Sequence, residues 1–218
     1  MSGGGNRRPI FDRVQAIREM PEPTTKKLLR SFLGTANFYK QYVRNYSDIA
    51  FPLTELTKNC HANTIKFSDT ERKAFNDLKQ ALCNYTMLYT AKYDRGFILR
   101  TDSSAYAVGA CLSQLDDEGV EHPVAFVSAK LTETQRRRAI IDNEAWALLY
   151  ALQKLDVYVY MSRVTVYMDH DPLHYITHSL PHSPRLTRWQ LALQRYDLDI
   201  HYIRGQDNVV SDCLSRVI

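Results

Sequence analysis

The chain has 218 residues, enough for one or two modest domains, and its 44% hydrophobic and 24% charged content is that of an ordinary globular protein, not a fibrous repeat or a disordered chain. No apolar run approaches the ~20 residues that cross a bilayer, and no charged-then-apolar leader opens the chain, so a soluble, intracellular protein without a membrane partner is expected. Net charge is a mild +4 but uneven, with nine Lys/Arg against three acids through Ser47 and 19 against 21 thereafter.

Residues 1–8 read as a flexible lead-in, and Thr24 and Thr25 after Pro23 mark a helix start. Leu28, Phe32 and Leu33 then recur at helical spacing, with Lys26, Lys27 and Arg30 mainly off that stripe. A break near Gly34 precedes a second predicted helix with Phe38, Tyr39, Tyr42 and Val43, carrying Lys40 and Arg44; Phe75, Leu78 and Leu82 predict a third. Residues 9–92 thus read as a small, helical, basic region. From Gly96 the period shortens: Phe97, Leu99 and Thr101 alternate with Ile98, Arg100 and Asp102, as in a strand that ends on an acid. A strand with Val108, Ala110 and Leu112 follows, then the turn Asp116-Asp-Glu-Gly119 and a strand from Val124 to Val127. A long helix with Ile141, Ala145, Leu148, Leu152 and Leu155 on one face leads to a strand with Val164, Val166 and Met168 and a second terminal acid, Asp169. A helical piece from Leu186 to Leu193, a strand from Leu198 to Tyr202 and a short helix from Asp207 complete the order β-β-β-α-β-α-β-α over residues 93–218.

The 8 glycines spell neither G-x-G-x-x-G nor G-x-x-x-x-G-K-S/T, so any phosphate chemistry falls to metal or to basic side chains. The 4 cysteines form no C-x-x-C and read as reduced, structural thiols. If the first and fourth strands are parallel neighbours joined through the long helix, Asp102 and Asp169 sit side by side at their carboxyl ends. Glu144, near the start of that helix, leans over the same edge, and Asp212 in the last helix closes the group. Four converging carboxylates with no obvious basic partner need a divalent cation to offset their repulsion, and an all-oxygen donor set suits Mg²⁺ or Mn²⁺. His170, His174 and His178 are spaced by four, but Pro172 interrupts the run and favours surface or packing roles over zinc. Lys26, Lys27, Arg30, Lys40 and Arg44 read either as a solvated helical face or, with Phe38, Tyr39 and Tyr42 nearby, as a nucleic-acid-binding surface that tracks phosphates.

Several runs resemble a known family. They are Arg100-Thr-Asp-Ser-Ser-Ala-Tyr-Ala-Val-Gly-Ala-Cys-Leu-Ser-Gln114, His122-Pro-Val-Ala-Phe-Val-Ser128, Asn143-Glu-Ala-Trp-Ala-Leu-Leu-Tyr-Ala-Leu152, Met168-Asp-His-Asp-Pro-Leu173 and Gly205-Gln-Asp-Asn-Val-Val-Ser-Asp-Cys-Leu-Ser-Arg216. In this order they resemble the ribonuclease H domain of gypsy-type LTR-retrotransposon reverse transcriptases. Leu29-Arg-Ser-Phe-Leu-Gly-Thr-Ala-Asn-Phe-Tyr39 and Ala74-Phe-Asn-Asp-Leu-Lys-Gln-Ala-Leu82 resemble the thumb or connection segment that precedes it. The resemblance implies an α/β fold: a ribonuclease H-like mixed five-stranded sheet with flanking helices, after a small helical thumb/connection region. It implies that Asp102, Glu144, Asp169 and Asp212 occupy the positions of the family's four metal-binding, catalytic carboxylates, holding two Mg²⁺ ions about 3.5–4 Å apart, with Mn²⁺ as a substitute. Asp102 then bridges the ions, Asp212 holds the one that activates water, and Glu144 and Asp169 hold the one at the leaving 3′ oxygen.

The implied reaction is hydrolysis of the RNA strand of an RNA–DNA hybrid, sensed through its 2′-hydroxyl, in cytoplasmic particles. Departures are Asp102-Ser-Ser104 for the family's Asp-Ala-Ser and Ser211-Asp-Cys-Leu-Ser-Arg216 for Ala-Asp-Ala-Leu-Ser-Arg, and the family's acid two before the helix glutamate is Asp142 here. Tyr202 stands where cellular and retroviral relatives carry an auxiliary catalytic histidine, which leaves its role open. The fingers and palm of a polymerase are absent, and Gln114-Leu-Asp-Asp117 lacks the aromatic of a polymerase motif, so no DNA synthesis is expected of this chain alone. Two alternatives stand beside the nuclease: an inactive, domesticated nucleic-acid-binding remnant, and a fragment that works only with a polymerase subunit or within a parent polyprotein.

Overall fold

The computed structural model describes residues 17–83, 88–168 and 184–203. The expected lead-in over 1–8 and the last helix from Asp207 lie outside these residues. Thr25 caps the first helix, α1 (Lys26–Phe38): extended at φ −134°, it accepts the Leu28 N–H on its hydroxyl at 3.3 Å. Leu29, Phe32 and Ala36 recur every three or four residues and are buried. Gly34 lies on the exposed side of α1 with open space around it, so the expected break does not occur; the buried stripe outweighs the ~1 kcal/mol that an interior glycine costs. The chain tightens into a 3₁₀ turn at Lys40–Tyr42 where a second α-helix was expected, and Arg44 lies beyond that turn.

Two short helices, α2 (Tyr46–Ile49) and α3 (Phe51–Leu56), precede a longer one, α4 (Asp69–Cys83). Asp69 and Glu71 in its first turn complement the helix dipole, and Glu71 accepts the Ser68 N–H at 2.8 Å. The rings of Phe32 and Phe75 pack 4.7 Å apart among Leu29, Leu53, Leu78 and Leu82, giving the helical region its own core.

Five strands form one sheet in the order β3-β2-β1-β4-β5: β1 (Phe97–Ser103), β2 (Ala107–Leu115), β3 (Glu121–Lys130), β4 (Arg163–Met168) and β5 (Asp197–Tyr202). β1 pairs antiparallel with β2, and β2 with β3, whereas β4 is parallel to β1 and β5 to β4. This is the mixed five-stranded sheet expected from the sequence. β3 is longer than its apolar run Val124–Val127, and its register against β2 slips between Leu112 and Ser113, passing over Val124.

Between β3 and β4 stand α5 (Glu133–Arg136), α6 (Ile140–Lys154) and α7 (Asp156–Val159), and α8 (Pro184–Leu193) precedes β5. Helix α6 covers one face of the sheet, its Ala145, Leu148 and Leu152 packing in one core with Phe97, Leu99, Leu112, Val164 and Val166. The opposite face, over β2 and β3, is met by the Lys40–Tyr42 turn and α2, with Tyr42 against Leu88, Cys111 and Phe126. Covered on both faces, β2 is buried from Ala107 to Gln114. Gly109 permits the approach: a Cβ there would stand 2.6 Å from Asn45 Oδ1, and Asn45 itself is left-handed at φ 50°.

Cys111 reports on that cover. Burial pushes its thiol up to about 12, with Glu121 adding to the shift. At pH 8 it therefore carries about a thousandfold less thiolate than an ordinary cysteine. Iodoacetamide is expected to label exposed Cys60 and to spare Cys111 until denaturant is added, as read by peptide mass spectrometry. Equal labelling rates would show that the helical region does not cover the sheet.

Candidate active site

Asp102 is the last but one residue of β1, opposite Gly109 on β2. It is exposed, and among the described residues its carboxylate takes no hydrogen bond or salt bridge. Alternation along β1 buries Phe97, Leu99 and Thr101 on the α6 side and leaves Asp102 on the face of Ile98 and Arg100. Ser103, one residue on, turns to α6 and donates its hydroxyl to Glu144 Oε1 at 2.5 Å. Glu144 is the fifth residue of α6 and is 2% exposed, beside buried Asp142 and Asn143. By that alternation Asp102 and the Ser103–Glu144 pair stand on opposite faces at the end of β1, so the convergence of these two acids over one edge expected from the sequence is not seen in the strand's side-chain directions.

The other two acids, Asp169 and Asp212, lie outside the described residues, as do His170, His174 and His178. Met168, which ends β4 and immediately precedes Asp169 in sequence, closes a strand whose Tyr167 pairs with Arg100. Among the described residues no three His, Cys, Asp or Glu side chains cluster as a metal site. Tyr202 ends β5 opposite Met168 and is 60% exposed.

The sequence had shown no basic residue beside these acids, and the fold brings two to the wall of the pocket that Asp102 lines. Arg44, Asn45, Arg100, Gly109 and Cys111 line a small pocket together with Asp102. Arg100 is held by Glu121 through Nε at 3.2 Å and Nη2 at 2.9 Å, and its guanidinium lies 4.5 Å from the Tyr167 ring centroid. Its charge is therefore matched, and both partners are only 11% exposed. Arg44 is half-buried at the pocket wall.

The helical region also contributes an acid that the sequence reading missed. Asp48 on α2 accepts the Ser104 hydroxyl on Oδ1 at 2.5 Å, and Ser104 Oγ in turn accepts the N–H groups of Tyr106 at 3.1 Å and Ala107 at 3.0 Å. Burial raises the Asp48 carboxyl, the Ser104 bond opposes the rise, and the negative charge of Asp102 pushes it further up. Nothing local around Asp48 signals this role, because its partner stands far along the chain and only the packing of α2 on the sheet joins them.

The basic residues do not form the single face expected of them. Lys26 does not lie on such a face: it is 5% exposed, and its ammonium donates to the carbonyls of Lys58, at 2.6 Å, and His61. It ties α1 to the segment after α3 and is spent there, since a buried ammonium needs its acceptors. Lys27, Arg30 and Lys40 are exposed, and Arg30 donates to the Thr57 carbonyl at 2.8 Å. Arg44 belongs to the pocket of Asp102.

The family model described as the RNase H-like domain found in reverse transcriptase matches residues 92–196. The retrovirus-related Pol polyprotein from transposon opus of Drosophila melanogaster is 37% identical over 215 residues, which cover 94% of this chain and 21% of that protein. The corresponding polyprotein from transposon gypsy is 31% identical over 216 residues, covering 94% of this chain and 20% of that one. The transposon Tf2-3 polyprotein of Schizosaccharomyces pombe is 30% identical over 214 residues, with 96% and 16% covered. The chain therefore spans about a fifth of the length of these relatives. Among solved structures, the foamy viral protease-reverse transcriptase in complex with RNA/DNA hybrid superposes with a TM-score of 0.74 at 21% identity, covering 90% of this chain and 27% of that one. A form of the same protein in complex with double-stranded DNA also gives 0.74, at 20% identity, covering 90% of this chain and 35% of that one. Both establish the fold.

Proposed function

Residues 92–196 belong to the RNase H-like domain family found in reverse transcriptase, in a chain homologous to retrotransposon Pol polyproteins, and on that premise we propose a metal-dependent ribonuclease H that cleaves the RNA strand of RNA–DNA hybrids. The observation that carries this reading is Asp102: an exposed carboxylate at a strand end, unbonded among the described residues, with Glu144 fastened beside that strand end through Ser103. Carboxylate oxygens are the donors that hard divalent cations select, so the donor chemistry of these acids suits Mg²⁺ or Mn²⁺. Asp102 and Glu144, completed by Asp169 and Asp212, would hold the ions. Such cations, when bound, make water nucleophilic at neutral pH and offset the charge of a reacting phosphate.

The chain's own residues prepare that chemistry. The Ser103 hydroxyl orients Glu144, and Ser104, held by Asp48 and by two backbone amides, fixes the turn that follows Asp102. A site held this way meets its substrate with little reorganisation. Arg44 brings positive charge to the pocket wall, and Lys27, Arg30 and Lys40 are proposed contacts to the duplex backbone. The foamy viral relative in complex with RNA/DNA hybrid supports the choice of substrate. Since the sequence relatives are polyproteins, a parent polyprotein or a polymerase subunit is the proposed protein partner.

The test is a labelled RNA–DNA hybrid. Cleavage of the RNA strand is expected with Mg²⁺, is expected to stop in EDTA and to return with Mn²⁺, while duplex DNA stays intact. Hybrid binding with no cleavage in either metal would overturn the nuclease reading in favour of a binding module.

A further inference from the structure

Helix α2 meets the sheet along one row of paired residues. Asp102 on β1 pairs with Gly109 on β2, and Gly109 pairs with Ser128 on β3, so the three stand side by side and face the same way. Asn45, at the start of α2, is what a Cβ on Gly109 would strike. Ser47 binds Ser128 twice, donating its N–H to Ser128 Oγ at 3.2 Å and its hydroxyl to the same oxygen at 2.9 Å. Asp48 takes the hydroxyl of Ser104, two residues beyond Asp102. One turn of α2 thus grips the row in which Asp102 stands.

Ser104 is the hub of the turn that joins β1 to β2. A hydroxyl has one hydrogen to give and two lone pairs to fill. Both lone pairs take amides of the turn, from Tyr106 and Ala107, and the hydrogen has two acceptors within reach, Asp48 at 2.5 Å and the Ala107 carbonyl at 3.2 Å. The shorter bond ties the turn to the helical region. A ring contact reinforces it, since Phe51 of α3 packs 4.5 Å from the ring of Tyr106 in the same turn. The Asp48 carboxyl is half-buried and repelled by the charge of Asp102, so an acid at this position does little for stability. What it does is fix the end of the strand that carries Asp102.

We propose that Asp48 is a positioning residue for cleavage: through the Ser104 hydroxyl it holds the end of β1, and with it the Asp102 carboxylate, in the working position. The proposal rests on the hybrid-cleavage reading, and it makes the cut depend on a side chain of the helical region, outside residues 92–196. Groups that stand behind a metal-holding carboxylate set its orientation, and losing one typically costs about ten- to a hundredfold. A carboxylate displaced by about 1 Å loses rate on the same scale.

The test compares the full chain with Asp48→Ala, Asp48→Asn, Ser104→Ala and the double variant Asp48→Ala/Ser104→Ala. On a labelled RNA–DNA hybrid in Mg²⁺, Asp48→Ala is expected to lower kcat about tenfold, with KM within about twofold and the unfolding temperature close to that of the wild type. Asp48→Asn keeps an oxygen that accepts the Ser104 hydroxyl and is expected to stay within about threefold of the wild-type kcat. The double variant is expected to be no slower than Ser104→Ala, because Asp48 acts through that hydroxyl. Hydrogen–deuterium exchange at the Tyr106 and Ala107 amides reads the same tie without cleavage, and is expected to quicken in Asp48→Ala but not in Asp48→Asn. Wild-type kcat in Asp48→Ala, or a loss of kcat with exchange unchanged, would overturn the proposal and leave the nuclease reading standing. An equal loss in Asp48→Asn would assign the effect to charge, and a lower unfolding temperature in Asp48→Ala would make Asp48 a structural residue; each equally overturns it. A wild-type chain that leaves the hybrid intact is instead the failure of the nuclease reading, and removes the proposal with it.

Discussion

Asp102→Asn is expected to slow hybrid cleavage by about three orders of magnitude, a loss of ~4 kcal/mol of transition-state stabilisation. Asparagine keeps the volume of the side chain and one of its oxygens but gives up the charge that a divalent cation requires. The fold has little to lose, because Asp102 is exposed and takes no hydrogen bond or salt bridge among the described residues. Its charge in fact works against Asp48, whose carboxyl it pushes up, so the variant is expected to unfold at the wild-type temperature or slightly above it. Single-turnover cleavage beside thermal unfolding separates the outcomes. Cleavage at the wild-type rate would sink the assignment of Asp102. Loss of cleavage together with a lower unfolding temperature would make Asp102 a structural residue.

Leu148→Ala is expected to destabilise the protein by about 3–4 kcal/mol, through lost apolar burial and the cavity left behind. Leu148 is fully buried, one helical turn beyond Glu144, in the core that α6 shares with β1, β2 and β4. For a chain of this size each kcal/mol lowers the unfolding temperature by about 2–4 °C, so a fall of about 10 °C is expected. Ile140→Ala on the same helix is the control, since Ile140 is 68% exposed and its loss should stay within about 0.5 kcal/mol. Urea unfolding followed by circular dichroism measures both. A cost below about 1 kcal/mol for Leu148→Ala would mean that α6 does not seat on the sheet as described.

The long helix and the strands were legible because their signals are local. Phe97, Leu99 and Thr101 alternate with Ile98, Arg100 and Asp102, and burial follows that alternation until the strand ends. Ala145, Leu148 and Leu152 recur at helical spacing and are buried where α6 meets the sheet. Where a local signal competed with packing, packing prevailed. Gly34 looked like a helix end, yet α1 runs through it because Leu29, Phe32 and Ala36 bury a continuous stripe on either side. Lys26 looked like a surface cation, and its burial follows from the carbonyls of Lys58 and His61, which come near only when the segment after α3 folds back on α1.

Asp102 and Glu144 were legible for the same reason: each stands at a definable place, a strand end and the second turn of an amphipathic helix. The period and the chain order of the strands and the long helix, and the places of Asp102 and Glu144 along them, were therefore determined by the sequence itself, because hydrophobic spacing of two or of 3.6 acts over a few neighbouring residues. The tertiary structure alone decided that strand β1 lies between β2 and β4, that Asp48 meets Ser104, that Arg44 shares the pocket of Asp102, and that Lys130 and Arg136 converge around Phe51. Those groups come from separate elements, and neither their charges nor their hydrogen-bonding capacities specify a partner until the two hydrophobic cores have brought the chain together.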